Sequence, residues 1–213
     1  MKELRRNMRI VGFLMMIFFI GAFGIVNRLL MLFALAIIGL GQGMQPIIGF
    51  NFGARNKARV RLTLKYSIAA GTSIALAGML ALLLFPRAMV LMFTDHEPLV
   101  EITVRAMMIT GSMFIFVGPG IIIGTYFQSV GMAKLASVMS TMRQMVCLVP
   151  ALLIFPLFWG LDGVWWSIPF ADVMGFVVGG TLLFFSIRAE DSDCQKGDPE
   201  CTPPTEFFKP KPM

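Results

Sequence analysis

Residues 39–61 read Gly-Leu-Gly-Gln-Gly-Met-Gln-Pro-Ile-Ile-Gly-Phe-Asn-Phe-Gly-Ala-Arg-Asn-Lys-Ala-Arg-Val-Arg. The stretch begins as an apolar segment sprinkled with glycine, glutamine and proline. It runs straight into five cations within eleven residues: Arg55, Lys57, Arg59, Arg61 and Lys65. An amide inside a bilayer must find a hydrogen-bond partner without help from water, so a simple anchor does not carry Gln42, Gln45 and Asn51 without reason. A helix that lines a transport path does. The basic loop also orients the chain, because Lys and Arg accumulate in cytoplasmic loops.

Composition agrees with a membrane protein. Of 213 residues, 57% are apolar and 14% charged, with 20 Phe and 18 Met, and the mean hydropathy is +0.79. Soluble domains sit nearer half apolar and a quarter charged. The length accommodates about six spans of roughly 20 residues with short loops. The net charge of +6 is not a nucleic-acid signal, since the cations lie in short clusters between apolar runs. Through Arg188 there are 15 cations and 6 acids; beyond it there are 3 cations and 6 acids.

Cys147 lies in an apolar run and reads as a small core hydrophobe. Cys194 and Cys201 lie in the polar tail, expected in the cytoplasm, where thiols stay reduced. Two cysteines without histidines make a poor metal site. Lys2, Arg5, Arg6 and Arg9 precede an apolar run as in a signal peptide, but no polar cleavage region follows, so the run reads as a retained span.

The expected spans are residues 10–26, 29–50, 66–85, 102–127, 137–158 and 164–187, an all-α membrane lobe. The first two are separated by Asn27-Arg28. Basic clusters at both ends of 10–50 favour two crossings with a tight external turn at 21–28; one long tilted helix is the alternative. Pro86 ends or kinks the third span. Gly118-Pro119-Gly120 implies a bend or break in the fourth. Trp159, Trp165 and Trp166 flank an external turn as interfacial aromatics do. This threading puts both termini in the cytoplasm. Residues 189–213 lack the apolar content to fold alone and read as a disordered tail.

Several of these segments occur together in one family. The run from Gln42 through Pro46, Gly49, Asn51 and Gly53 to Arg55 resembles the signature of the multidrug and toxic compound extrusion family. It is most similar to the bacterial multidrug-export branch, which writes it Gln-Pro-Ile-x-Gly-Tyr-Asn-Tyr-Gly-Ala. Gly24-Ile25-Val26-Asn27-Arg28 resembles the approach to that helix. Gln128-Ser129-x-Gly131 and residues 143–150 resemble the junction of the tenth and eleventh helices. Gly163-Val164-Trp165 and Pro169-x-Ala171-Asp172 resemble the last helix. The likeness runs in order over roughly residues 22–188.

The resemblance implies a twelve-helix fold of two six-helix lobes related by an internal repeat. This chain matches only the second lobe, and no second Gln-Pro-x-x-Gly pattern occurs in it. A truncated or split transporter is therefore implied, its partner a missing N-terminal lobe or a second half-transporter chain. The implied activity is antiport: organic cations or amphiphilic drugs leave against an inward proton or sodium gradient as two lobes rock. No cofactor is implied beyond the coupling proton or sodium. The implied location is the bacterial cytoplasmic (inner) membrane. The family places coupling carboxylates on the seventh and tenth helices or in the first lobe. This chain has none in 10–26 and none deep in 102–127.

The candidate path residues are Gln42, Gln45, Asn51, Arg143 and Asp172. The amides can line a path, or merely hydrogen-bond across helices and to backbone freed near Pro46. Asp172 is the acid well inside an apolar segment, where charge is costly and function is the default hypothesis. It can carry a proton, pair with Arg143 on a neighbouring helix, or accept backbone hydrogen bonds near Pro169. Glu101 and Arg105, four residues apart, are expected to form a local ion pair, and His96 to be solvated. The Met and Phe content suits a pocket for apolar cations but is also ordinary lipid-facing composition.

Other classes fare worse. No nucleophile–base pair, metal cluster or phosphate loop supports an enzyme. A non-transporting membrane fragment, or a structural partner of another half-transporter, is the main alternative. A lipid flippase of a related superfamily differs only in substrate.

Overall fold

The computed structural model describes the backbone of residues 2–195 and the side chains of residues 16–160 and 162–188. It is all-helical among the described residues: α1 (Lys2–Gly53), α2 (Lys57–Leu84), α3 (Pro86–Leu91), α4 (Glu97–Gly111), α5 (Val117–Ser129), α6 (Ala133–Thr141), α7 (Val149–Trp159) and α8 (Leu161–Gln195). A 3₁₀ turn, Phe114–Phe116, joins α4 to α5, and a π-helical segment, Met142–Leu148, joins α6 to α7. Four stretches are long and apolar enough to cross a bilayer: Met16–Gly53, Lys57–Leu84, Ala133–Trp159 and Asp162–Arg188. The pair α4–α5, bent by 49°, makes a fifth if it crosses as one broken span. About six were expected.

The difference lies in α1. The spans expected at 10–26 and 29–50 are one continuous helix, with no turn at 21–28. The supposed turn is packed instead. Ala22, Val26 and Leu29 are buried in a cluster with Leu82, Val100, Met107 and Trp165. Gly21 faces Leu99, 3.5 Å from where a Cβ would stand. Phe19 rests against Trp165 with ring centroids 5.0 Å apart. Asn27 and Arg28 are both exposed, so their polarity does not interrupt the helix. With no proline before Pro46, nothing interrupts the backbone either.

At about 1.5 Å per residue, the 38 residues of Met16–Gly53 are far longer than a hydrocarbon core of about 30 Å. Residues 2–9 and the loop after Gly53 stand at opposite ends of one rod. The expectation that both basic clusters and both termini share one face rested on the extra turn. If the bent α4–α5 pair crosses as one span, five crossings place the start of α1 and the end of α8 on opposite faces.

Inter-helix contacts order the two ends. Gly49 faces the Ser129 carbonyl, Gly41 faces Thr125, Gly78 faces Phe33 and Gly111 faces Leu82. One end therefore gathers Arg55, Lys57, Arg59, Arg61, Lys65, Lys134 and Arg188, with no acid among the described side chains. Among the described side chains, the other end carries Arg87, Arg105, Asp95, Glu97, Glu101 and Asp162. Arg105 pairs across helices with Asp162 at the start of α8 and not with Glu101 as its spacing implied. Arg87 pairs with Glu97 at 2.9 Å. His96 is exposed, with the Phe18 ring 5.6 Å from its own.

The break expected at Gly118-Pro119-Gly120 occurs earlier, between Gly111 and Phe114. Pro119 sits in the first turn of α5, where a missing N–H is tolerated. Gly118 serves packing: a Cβ there would collide with the Gly71 carbonyl oxygen of α2. Such close approach of small residues is how apolar helices associate without a hydrophobic drive. Pro86 ends α2 and opens α3, as its ring favours a first helical position,. Gly160, with φ of +57°, closes α7 in a conformation that disfavours other residues,. The polar tail expected from residue 189 starts later, because α8 continues to Gln195; no Gly or Pro intervenes before Gly197. Residues 196–213 lie outside the described residues.

Candidate functional site

Three helix faces meet around a cavity of about 250 Å³. From α5 come Gly120, Gly124, Thr125 and Gln128, and from α6 and the π segment Met139, Ser140, Arg143 and Gln144. From α8 come Asp172, Gly175 and Phe176. Each set repeats at three- or four-residue intervals, the spacing that places side chains on one helix face. Two glycines on α5 leave space where bulkier residues would fill it.

Arg143 and Asp172 lie at the centre. The Arg143 Nη2 is 2.7 Å from Asp172 Oδ1. The Asp172 side chain is 9% exposed and that of Arg143 50%, so the acid is buried and the cation reaches it from the more open side. The contact is an ion pair without hydrogen-bond alignment: Oδ1 has no hydrogen-bond partner among the described residues. A buried carboxylate needs such a cation, because isolated charge in a low-dielectric interior costs several kcal/mol.

Local sequence aims both groups. Pro150 lacks the N–H that would bond the Val146 carbonyl, and the helix widens just before it. There the Val149 N–H reaches the Gln144 carbonyl, five residues back. Such π turns shift the phase of a helix and recur at functional sites. Arg143 sits inside this one. Across from it Gly175, one turn beyond Asp172, provides a flat surface. A Cβ there would stand 3.2 to 3.4 Å from the Arg143 stem.

Arg143 and Asp172 are thus brought together, as one of the readings of Asp172 had it. The reading in which Asp172 takes backbone hydrogen bonds near Pro169 has no such bond at Oδ1. Gln42, Gln45 and Asn51 lie outside the cavity. Asn51 is buried, and its Nδ2 donates to the Ile47 carbonyl at 2.7 Å. Its own backbone carbonyl accepts from the Asn56 N–H, so Asn51 shapes the end of α1. Gln42 is exposed on the outer face of α1 and Gln45 is half-buried. Gln128, Ser140 and Gln144 line the cavity, although the sequence reading did not name them as path residues. Their helical spacing from Gly124, Arg143 and one another was the available signal.

A bundle of apolar helices long enough to span a bilayer, with a polar pair between its members, defines a multi-pass membrane protein. Residues 8–153 match the MatE family model, and the chain belongs to that family. It is 31% identical over 171 residues to the multidrug export protein MepA of Staphylococcus aureus (strain bovine RF122 / ET3-1), covering 80% of this chain and 37% of that protein. It is 28% identical over 170 residues to MepA of Staphylococcus haemolyticus (strain JCSC1435), covering 79% and 37%. Among solved structures it is similar to the MATE multidrug transporter DinF-BH in complex with R6G, with TM-score 0.71 and 36% identity over 78% of this chain and 37% of that one. A mutant of the Vibrio cholerae MATE transporter VcmN shares the fold at TM-score 0.75 and 15% identity, over 79% and 39%. The chain spans a little over a third of the length of these relatives.

Proposed function

We propose that this chain is one lobe of a cation-coupled multidrug antiporter of a bacterial cytoplasmic membrane. It would work with a second lobe supplied by another chain or another part of the same protein. Organic cations or amphiphilic drugs leave against an inward proton or sodium gradient, with the basic end of the bundle facing the cytoplasm. The proposal is transport and not catalysis. The observation that carries it is the buried Asp172, ion-paired to Arg143 in a cavity between three spans. A simple anchor has no use for an intramembrane carboxylate, and groups of this kind mark substrate or ion paths. The basic loop at Arg55–Lys65 supports the orientation.

A second reading, a non-transporting structural partner, draws on the chain's share of its relatives. One lobe cannot rock against itself to give alternating access. Both readings meet one experiment. The chain is produced in a pump-deficient bacterium with and without the first lobe of MepA, and energised efflux of rhodamine 6G is followed. The transporter reading expects efflux only with both lobes present. Absence of efflux with both lobes inserted would favour the structural partner.

A further inference from the structure

The two members of the central ion pair each keep unused hydrogen-bonding capacity on the same cavity. Asp172 Oδ1 is a buried acceptor without a hydrogen-bonded donor among the described residues. Arg143 is half exposed, and a guanidinium carries five N–H donors in a fixed fork. A carboxylate oxygen that Arg143 Nη2 approaches to 2.7 Å without hydrogen-bond alignment thus stands beside the remaining donors of the same guanidinium. Phe116 and Phe176, with ring centroids 5.4 Å apart, form an apolar wall of the same cavity, and Gln128 and Gln144 supply amides.

We propose that this cavity binds a small zwitterionic amphiphile. Its ammonium donates to Asp172 Oδ1, its carboxylate accepts from the Arg143 fork, and its apolar body lies against Phe116 and Phe176. The proposal rests on the chain being a transporter lobe; of the organic cations and amphiphilic drugs named for it, this cavity takes the amphiphiles that are zwitterions, and the organic cations bind elsewhere in the two-lobe protein. Net charge decides that class. The Arg143–Asp172 pair is neutral, so a monocation would leave one uncompensated positive charge among apolar spans and a monoanion one negative charge. Either is costly in a low-dielectric site. A zwitterion adds opposite charges in the complementary order and leaves none over. The carboxylate meets Arg143 in the bidentate geometry that guanidinium favours. Size narrows the ligand further. The cavity of about 250 Å³ falls just below the roughly 300–1,000 Å³ usual for small-molecule sites, which fits a head group with roughly one aromatic ring.

The test uses the full chain, purified into lipid nanodiscs, and three probes with one apolar body at pH 6. These are phenylalanine (zwitterion), phenylalanine methyl ester (cation) and N-acetylphenylalanine (anion), with affinities from calorimetry or equilibrium dialysis. Phenylalanine is expected to bind at least about tenfold more tightly than either analogue, about 1.4 kcal/mol. Arg143→Gln should reduce phenylalanine to the level of its methyl ester, and Asp172→Asn to that of the N-acetyl compound. The exchanged pair, Arg143→Asp with Asp172→Arg, should retain the preference, which separates lost charge from a lost fold. Equal affinity for phenylalanine and its methyl ester overturns the proposal. So does absence of binding by all three to a chain of normal helicity. Rhodamine 6G efflux from the two-lobe cell is an independent readout. Dye efflux without zwitterion preference removes this inference and leaves the transporter. Zwitterion preference without dye efflux removes the transporter and leaves the site.

Discussion

Gly175 lies beneath the stem of Arg143: a Cβ there would stand 3.2 Å from Arg143 Cδ and 3.3 Å from Cγ. The glycine therefore sets how close α8 comes to the π segment of the neighbouring span, and with it the reach of Arg143 to Asp172. Gly175→Ala requires the stem to move by a few tenths of an ångström, which a half-exposed side chain can do. Gly175→Leu displaces it. In thermal unfolding in detergent, Ala is expected to stay within about 1 kcal/mol of the parent, and Leu to lose about 1–3 kcal/mol, the usual cost of overpacking. The Arg143–Asp172 interaction should be lost with it. Equal stability of the two variants would mean that Gly175 does not position Arg143.

Burial makes the ion pair unequal. Removing Arg143 leaves a carboxylate with a 9% exposed side chain; removing the Asp172 charge leaves a guanidinium that is half exposed. Breaking a buried pair costs about 3–5 kcal/mol when the remaining charge cannot reach water. Arg143→Ala should approach that range. Asp172→Asn should cost markedly less, about 1 kcal/mol, because the Arg143 side chain is only half enclosed and Asn keeps an acceptor. Denaturant titration of both variants in the same micelle checks the order. Asp172→Asn more destabilising than Arg143→Ala would contradict the burial assignment.

Gly118 and Gly120 flank Pro119 but differ in surroundings. At Gly118 a Cβ would collide with the Gly71 carbonyl oxygen and stand 2.9 Å from Ala75 Cβ, whereas nothing lies within 4 Å at Gly120. The obstacle at Gly118 is backbone, which cannot swing away, so α2 and α5 must separate. Gly118→Ala is expected to lose at least about 1–3 kcal/mol, the range for overpacking. Gly120→Ala should be neutral or slightly stabilising, as Ala is the better helix former. Paired thermal melts suffice, and similar losses at both positions would show that flexibility of the Gly-Pro-Gly run, not packing, is what matters.

How much of this was legible in the sequence varies from residue to residue. The all-α membrane class followed from apolar length, a signal set by the bilayer itself. The pairing of Asp172 with Arg143 was one of three readings open from the sequence, suggested because each is a charge inside an apolar run. The continuity of α1 was hidden. Asn27-Arg28 looks like a turn when only polarity is weighed, yet both residues are exposed while Ala22, Val26 and Leu29 pack against Val100 and Met107. Whether a polar pair interrupts a helix depends on which face it occupies, and that is tertiary information. The bend at Gly111–Phe114 was misplaced for a similar reason. Gly118 is a glycine because no side chain fits against Gly71, and no local signal separates a packing glycine from a hinge.

The path of α1 makes a sharp distance prediction. Ile17 and Gly39 both lie on the outer side of the helix. If residues 2–53 form one helix, spin labels at these positions are 22 residues apart, about 33 Å at the helical rise. A hairpin turning at 21–28 would fold them back to well under about 20 Å, since the two arms would pack at roughly 8–10 Å between axes. Double electron–electron resonance on the chain carrying Ile17→Cys and Gly39→Cys, with its native cysteines replaced by serine, measures this directly. A dominant short distance would restore two crossings.

The same geometry decides sidedness, independently of where the basic clusters fall in the sequence. Arg55–Lys65, the turn at Gly131 and Arg188 share one end, while His96 and the Met16–Phe18 turn of α1 share the other. With the basic end in the cytoplasm, a membrane-impermeant maleimide added outside intact cells should label His96→Cys and not Lys57→Cys. Those two results alone fit both five and six crossings. Met16→Cys distinguishes them. It lies near Phe18, whose ring is 5.6 Å from that of His96, so a single-helix α1 places it on the outer side and predicts labelling. A two-crossing start would carry it into the membrane or toward the cytoplasm and predict protection until the cells are permeabilised. Protection of Met16→Cys with labelling of His96→Cys would sink the five-crossing path, and labelling of Lys57→Cys would invert the whole bundle.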